Sequence, residues 1–340
     1  MIEADRVRAT LYGTGVGDAL GIPCEWKAKS QVEEMYPDRG PESYVRTDRT
    51  VFGGREVFEA GSWSDDTDQA LCILDAYLED PDAPIEGLCS AFARNLLAWK
   101  EKNPIGMGKL TRTVLSHPDF EHDYFRVAAE AWKPRPAEAV SPNGAVMRTS
   151  VVGLLRPWDL PWTSDAAASL ARVTHAGEEC AASAVAVSIA VACLVTGQGS
   201  QETLQQARHH AGRVALGVLP WLSFDFDLRS LRLDEGLPQV KGGTPPKVGD
   251  TRKCLGAAFW ALGSATRQRA LRTSGRERFR KALTEVIREG GDADTNGAVA
   301  GALLGAKEGW EGIPESLRDG LRDRGELDRR VVLLLATHAR

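Results

Sequence analysis

The run Gly61-Ser62-Trp63-Ser64-Asp65-Asp66-Thr67-Asp68 concentrates carboxylates and hydroxyls just ahead of an apolar helical pattern at Ala70, Leu71, Ile73, Leu74, Tyr77 and Leu78. Ser64 is a good helix N-cap, which puts Asp65 and Asp66 in the first turn, where exposed N–H groups and the helix dipole favour negative charge. Capping accounts for one acid but not for this density of oxygen ligands. A second stretch of the same kind, Gly290-Gly291-Asp292-Ala293-Asp294-Thr295-Asn296-Gly297, opens another apolar helix through Ala298, Val299, Ala302, Leu303 and Leu304. A single D-x-D would be read as an ordinary acidic helix start. Two such sites, each with a hydroxyl beside the acids, suggest helix starts that meet around metal. Carboxylates brought close repel one another, and hard divalent cations relieve that repulsion. An all-oxygen set without His or Cys suits Mg²⁺ or Mn²⁺ rather than zinc. The second stretch also fits the opening of an EF-hand, but that loop ends on a bidentate Glu, where this chain has Leu303. The EF-hand reading fails.

The elements that must position these acids are mostly helical, because few segments alternate with period two. Helices are expected over residues 3–15, after the Asp65-Asp66 pair, over 85–100, 111–115, from the Ser141 turn through Val152 and Leu155, and over 178–196 and 201–217. Four more are expected at about 254–265, 277–289, 296–308 and 328–337. The Gly13-Thr14-Gly15-Val16-Gly17-Asp18 run is not a dinucleotide fingerprint, since its last glycine is missing and a helix rather than a strand precedes it. Its small residues would instead permit close helix packing, with Asp18 buried and in need of partners. Residues from Glu25 to Gly61 read as one long irregular loop of the lid or binding type. Residues 116–140 and 218–253 read as Pro-rich or loop-like, with a break at Gly242-Gly243-Thr244-Pro245-Pro246. The turn Ser141-Pro142-Asn143-Gly144 opens a helix whose exposed N–H groups could hold a phosphate, although such a start more often only caps. His175, ahead of the Ala/Val helix, is either a capping residue or a ligand contact.

The bulk numbers limit the alternatives. The chain has 340 residues, 43% of them hydrophobic and 26% charged, with net charge −5, which is the balance of an ordinary globular protein and not of one built to grip nucleic acid or anionic membrane. Six cysteines form no C-x-x-C pair, and several lie in apolar runs, so buried free thiols in a reducing compartment are expected. The N-terminal residues lack signal-peptide character, and the apolar run from Cys180 to Val195 is short for a membrane span. A cytoplasmic monomer with no membrane or nucleic-acid partner is expected. No composition shift divides the chain, so residues 1–340 read as one domain.

Taken in order, Gly17-Asp18-Ala19-Leu20-Gly21 with Glu25, Ser64-Asp65-Asp66-Thr67, Asn143-Gly144-Ala145-Val146-Met147-Arg148, Thr174-His175 and Gly291-Asp292-Ala293-Asp294-Thr295-Asn296-Gly297 resemble the ADP-ribosylglycohydrolase family over most of the chain. The resemblance implies an all-α, single-domain orthogonal helical bundle with long loops over a cleft holding two divalent metals, Mg²⁺ or Mn²⁺. By position, Ser64, Asp65, Asp66, Asp292, Asp294 and Thr295 would ligate metal, and Glu25 would sit on a flap as ligand, gate or water-activating base. Ser141, Asn143, Gly144 and His175 would face the ADP-ribose. The implied activity is hydrolysis of the glycosidic bond between ADP-ribose and a protein side chain or small conjugate, with Glu25, Asp65, Asp66 and Asp294 as catalytic groups. Metal would orient the ribose and lower the pKa of an attacking water as the ring passes through an oxocarbenium-like state. A non-catalytic ADP-ribose-binding relative and a di-metal hydrolase of another nucleotide are the alternatives. Two departures bear on specificity. Pro104 precedes Ile105-Gly106 where arginine-directed members often carry an acid, and Pro142 removes one backbone N–H from the turn.

Overall fold

The computed structural model describes residues 2–51, 54–132, 141–237 and 247–339. The expected break at 242–246, Val140 and the end of the Pro-rich segment lie outside them. In chain order the first elements are α1 (Ala4–Gly21), α2 (Lys29–Met35), β1 (Thr47–Val51) and β2 (Gly54–Phe58), followed by α3 (Asp65–Glu79) and α4 (Ile85–Glu101). Next come α5 (Lys109–Leu115), α6 (Tyr124–Ala131), α7 (Val146–Thr149), α8 (Val152–Leu155), α9 (Leu160–Arg172) and α10 (Glu178–Val195). The last are α11 (Ser200–Val214), α12 (Thr251–Arg269), α13 (Gly275–Arg288), α14 (Ala293–Glu308), α15 (Glu315–Gly320) and α16 (Arg324–His338). The architecture is all-α, and the antiparallel β1–β2 hairpin is the sheet among the described residues.

The centre of the bundle is the antiparallel pair α1 and α14. Gly13, Gly17 and Gly21 fall every fourth residue on α1, and Gly297, Gly301 and Gly305 do the same on α14. A methyl on Gly17 would overlap the carbonyl of Gly297, and one on Gly13 would overlap the carbonyl of Gly301. The two backbones therefore touch, which only residues without a Cβ permit. This is the role of the glycine run that superficially looked like a nucleotide fingerprint. Helix α10, uncharged after its two opening glutamates and made of Ala, Val, Ser, Cys, Ile189 and Leu194, is buried in one continuous core with α1, α9, α12 and α14. Among the described residues α10 alone is long and apolar enough to cross a membrane, and 89% of it is buried inside the fold. The six cysteines are thiols rather than disulfides.

Several expectations change. The loop after Glu25 contains α2 and the hairpin. Helix α1 continues to Gly21, six residues beyond the expected end, because the glycine pairing with α14 stabilises it. Helix α14 starts at Ala293 rather than at 296, so Asp294 and Thr295 lie inside its first turn. That geometry also excludes an unwound calcium loop. The helix expected from the Ser141 turn is two short pieces, α7 and α8. Helix α9 was not anticipated, although Asp159 accepts from the Trp162 N–H and Pro161 sits in the first turn, both helix-start signals.

Candidate metal and catalytic site

The site begins with Asp18, wholly buried on α1. Its Oδ1 accepts the Ser64 N–H at 2.9 Å, and its Oδ2 accepts the Thr67 N–H at 3.1 Å and the Thr67 hydroxyl at 2.6 Å. Asp18 thus receives the otherwise unmatched N–H groups at the start of α3 and fixes that helix against α1. Ser64 caps α3 as expected, and its hydroxyl donates to Asp66 Oδ2 at 2.8 Å. Thr295, from the first turn of α14, donates to Asp66 Oδ1 at 2.9 Å. The two acidic helix starts therefore meet, joined by the Asp66–Thr295 hydrogen bond across 229 residues of sequence. Asp65 lies beside them with its Oδ2 accepting from Gln69 at 3.0 Å. Its Oδ1 sits against Gly106, which places the Pro104–Gly106 loop at the site. Asp68, the third acid of the first cluster, faces away and accepts from the indole N–H groups of Trp63 and Trp99.

Glu25 reaches the same place from the end of α1. Gly290 and Gly291 have φ of +70° and +72°, and a side chain on either would overlap a neighbouring carbonyl, that of Lys27 or Leu233. This turn exchanges two backbone hydrogen bonds with the Glu25 segment, Trp26 N–H to Gly291 O at 2.7 Å and Gly291 N–H to Lys27 O at 2.9 Å. Trp26 itself holds φ +60°, a left-handed conformation beside the candidate catalytic acid. Arg49, on β1, forms an ion pair with Glu25 while donating to Ile22 O at 3.0 Å and to Glu56 at 2.9 Å. The hairpin thus supplies a counter-cation to Glu25.

Two overlapping groups of oxygens have the closeness a cation requires. One atom each from Glu25, Asp292 and Asp294 lie within 4.8 Å of one another, and so do atoms of Asp18, Asp66 and Asp294. Because both oxygens of Asp18 already accept strong hydrogen bonds, we read it as the anchor of α3 and not as a ligand. Burial pushes Asp65, Asp66 and Asp294 well above the ordinary carboxylate range, with neighbouring acids adding to the shift. Burial also raises Glu25 to about 7, against the opposing charge of Arg49, and Asp18 to about 6. Same-sign groups held this way are destabilising without a cation. The donor set is all oxygen and fits a hard divalent ion.

The Ser141–Gly144 turn is a braced element. Ser141 donates from its N–H to Asp250 at 3.0 Å and from its hydroxyl to Glu179 at 2.5 Å. The Asn143 N–H donates to Gly249 O at 3.0 Å, and its side-chain amide to Asp292 at 2.7 Å. These donors are engaged within the protein, so Ser141 and Asn143 shape the turn. Gly144 is partly exposed, and a Cβ there would come within 2.8 Å of the His175 ring. His175 is buried beneath it with Nδ1 2.8 Å from the Thr174 hydroxyl. Sequence reasoning did not single out Asp250, Glu179, Arg49 or Gln69. Asp250 caps α12 two residues before Arg252, and that cap was the one legible signal among them.

Comparison with known proteins gives a consistent answer. The family model described as ADP-ribosylglycohydrolase matches residues 2–339. An ADP-ribosyl-[dinitrogen reductase] glycohydrolase of Rhodospirillum rubrum is 25% identical, covering 98% of this chain and 96% of its own. An uncharacterized protein of Archaeoglobus fulgidus is 26% identical over 99% of this chain and 98% of its own. ADP-ribosylarginine hydrolase Tri1 of Serratia proteamaculans is 23% identical over 93% of this chain and 75% of its own. A solved structure titled ADP-ribosylglycohydrolase-related protein complex shares the fold, with TM-score 0.64, 22% identity and 98% coverage of both chains.

Proposed function

The chain belongs to the ADP-ribosylglycohydrolase family, a family of hydrolases, and we propose that it is a metal-dependent (ADP-ribosyl)hydrolase that cleaves the bond between ADP-ribose and a protein side chain or small conjugate. The observation that carries this reading is the meeting of Asp66, Asp292, Asp294 and Glu25, from three separated segments, within one oxygen-lined site. Those four, with Ser64, Asp65 and Thr295 beside them, would hold one or two Mg²⁺ or Mn²⁺ ions. Bound there, such ions supply positive charge that orients ribose hydroxyls and lowers the pKa of a water.

The chain's own groups do the rest. Glu25, raised to about 7, is suited to take a proton from water at its carboxylate near neutral pH. The water oxygen bonds to the anomeric carbon as the glycosidic bond breaks with its electron pair going to the leaving atom, which takes a proton from solvent while Glu25 keeps the one it took from water. Asp18 and Thr67 hold Asp65 and Asp66 at the start of α3, and the braced Ser141–Gly144 turn with His175 beneath it forms the side that meets the rest of ADP-ribose. The Pro104–Gly106 loop, against Asp65, is the place where the linkage is distinguished. Residues 1–340 act as one domain, a proposal supported by the continuous core, and cysteines kept as thiols favour a cytoplasmic location.

The test is release of free ADP-ribose from arginine-, serine- and nucleic-acid-linked substrates, with Mg²⁺, Mn²⁺ or EDTA, alongside Asp294→Ala. Metal-dependent release that the variant lacks supports the reading, and release that persists in EDTA and in the variant overturns it.

A further inference from the structure

Among the described residues Arg148 is the largest fully buried side chain, and no carboxylate forms an ion pair with it. Burial lowers its pKa only to about 10, so it stays a cation at neutral pH. Its guanidinium lies over the Phe92 ring at 5.0 Å and donates in two directions. Nη1 donates to Gln69 Oε1 at 2.7 Å, and Nη2 donates to the Thr174 hydroxyl at 2.6 Å and to Leu170 O at 3.4 Å. An unpaired buried cation is costly to keep. Its placement between two parts of the site gives it a task.

A guanidinium has donors and no acceptor, so it dictates the direction of each hydrogen bond it starts. Gln69 must turn its oxygen to Arg148, which turns its NH₂ to Asp65 Oδ2 at 3.0 Å. The Thr174 hydroxyl accepts from Arg148 and can give its own proton to His175 Nδ1, 2.8 Å away, the direction the proposal assigns to this bond. That choice leaves the ring proton of neutral His175 on Nε2, the edge lying beneath Gly144.

We propose that Arg148 is a positioning residue that sets two hydrogen-bond chains at once, one orienting Asp65 through Gln69 and one fixing His175 as the Nε2–H tautomer through Thr174. It holds the acidic side and the Gly144 turn in mutual register. The inference rests on the acidic cluster being the metal-holding site.

The experiment uses the full chain with Gln69→Leu, Thr174→Val and Arg148→Met, each checked for helical content. Mn²⁺ binding is measured calorimetrically, and the His175 tautomer by ¹⁵N NMR of the imidazole. Gln69→Leu weakens Mn²⁺ binding by about 10-fold, the lower range for loss of a group that orients a ligand, and leaves the His175 spectrum unchanged. Thr174→Val changes the His175 tautomer and leaves Mn²⁺ affinity within about 2-fold, since it touches no carboxylate. Arg148→Met, if it folds, does both. Wild-type protein that shows the Nδ1–H tautomer, or single variants that leave both readouts unchanged, overturn the proposal. Wild-type protein that binds no Mn²⁺ overturns the functional reading instead, and the NMR readout does not depend on it.

Discussion

One side of the site is built from helices and the other from loops, and the two sides are held by different physics. Asp66, Asp294 and Thr295 stand on the starts of α3 and α14, which are fixed to α1 by backbone contact at Gly17 and by the buried Asp18. Glu25 stands on a connecting segment, held by two hydrogen bonds to the Gly291 turn and by the cation of Arg49 on the hairpin. Among the described residues no ion pair reaches the acids on the helix side, although Arg49 and Arg148 act on Asp294 and Asp65 through space, and the helices fix their positions. The acid on the loop side carries its own counter-cation. Same-sign charge is thus held where a metal would be gripped, and the ion-paired carboxylate sits where the proposed mechanism would move a proton.

The largest effect that would break this contrast is loss of the helix contact. Gly17→Val should destabilise the protein by about 3 kcal/mol or more, because the side chain meets backbone that cannot yield. Thermal unfolding measures it, and the same change at exposed Gly108, where a Cβ meets nothing within 4 Å, should cost far less. Next comes Asp18→Asn. The amide can serve only one of the two groups of donors that Asp18 accepts, so about 1–3 kcal/mol should be lost. Activity should fall with it as α3 loosens, which denaturant melts and ADP-ribose release together would register.

A third prediction concerns pH. Glu25 and Asp18 have folded-state values of about 7 and about 6, above the ordinary carboxylate range near 4. The folded chain therefore binds more protons than the unfolded one between about pH 4 and 7, and metal-free stability must fall as pH rises through that window. Excess Mn²⁺ should remove the decline, because the metal takes the place of those protons. A metal-free melting temperature that climbs from pH 4 to 7 would count against the site's electrostatics. The smallest effect belongs to Arg49→Ala. Its loss should raise the Glu25 pKa further and move the acid limb of the pH–rate profile upward, with activity reduced by less than the ~10²-fold that a general acid–base group itself contributes, because Arg49 only tunes that group. An unchanged pH profile would make the Arg49–Glu25 pair merely structural.

The acidic helix starts were legible because capping and acidity are local signals, and Ser64 and Asp292 announce themselves within four residues. The EF-hand was excluded by Leu303 and by the helical pattern of residues such a loop must leave unwound, and α14 indeed starts at Ala293. Packing that pairs Gly17 with Gly297 spans 280 residues, so the sequence suggested a tight helix on α1 without naming its partner. Residues 29–58 looked like plain loop because α2 is short and the β1–β2 hairpin is polar, with few apolar residues to mark its period. Arg49, Gln69, Asp250 and Glu179 acquire meaning only from long-range hydrogen bonds, and an isolated charged residue gives no hint of them. Asp68 shows the opposite error that a cluster invites, since it belongs to the tryptophans and not to the site.

The central claim is that the two helix starts together hold a divalent cation. Calorimetric titration of Mn²⁺ into the metal-free protein and into folded Asp66→Ala and Asp294→Ala tests it most directly. The account predicts saturable binding in the parent protein and its loss in both variants, although the two acids lie on different helices. Equal binding in parent and variants, or no binding in the parent, would contradict it.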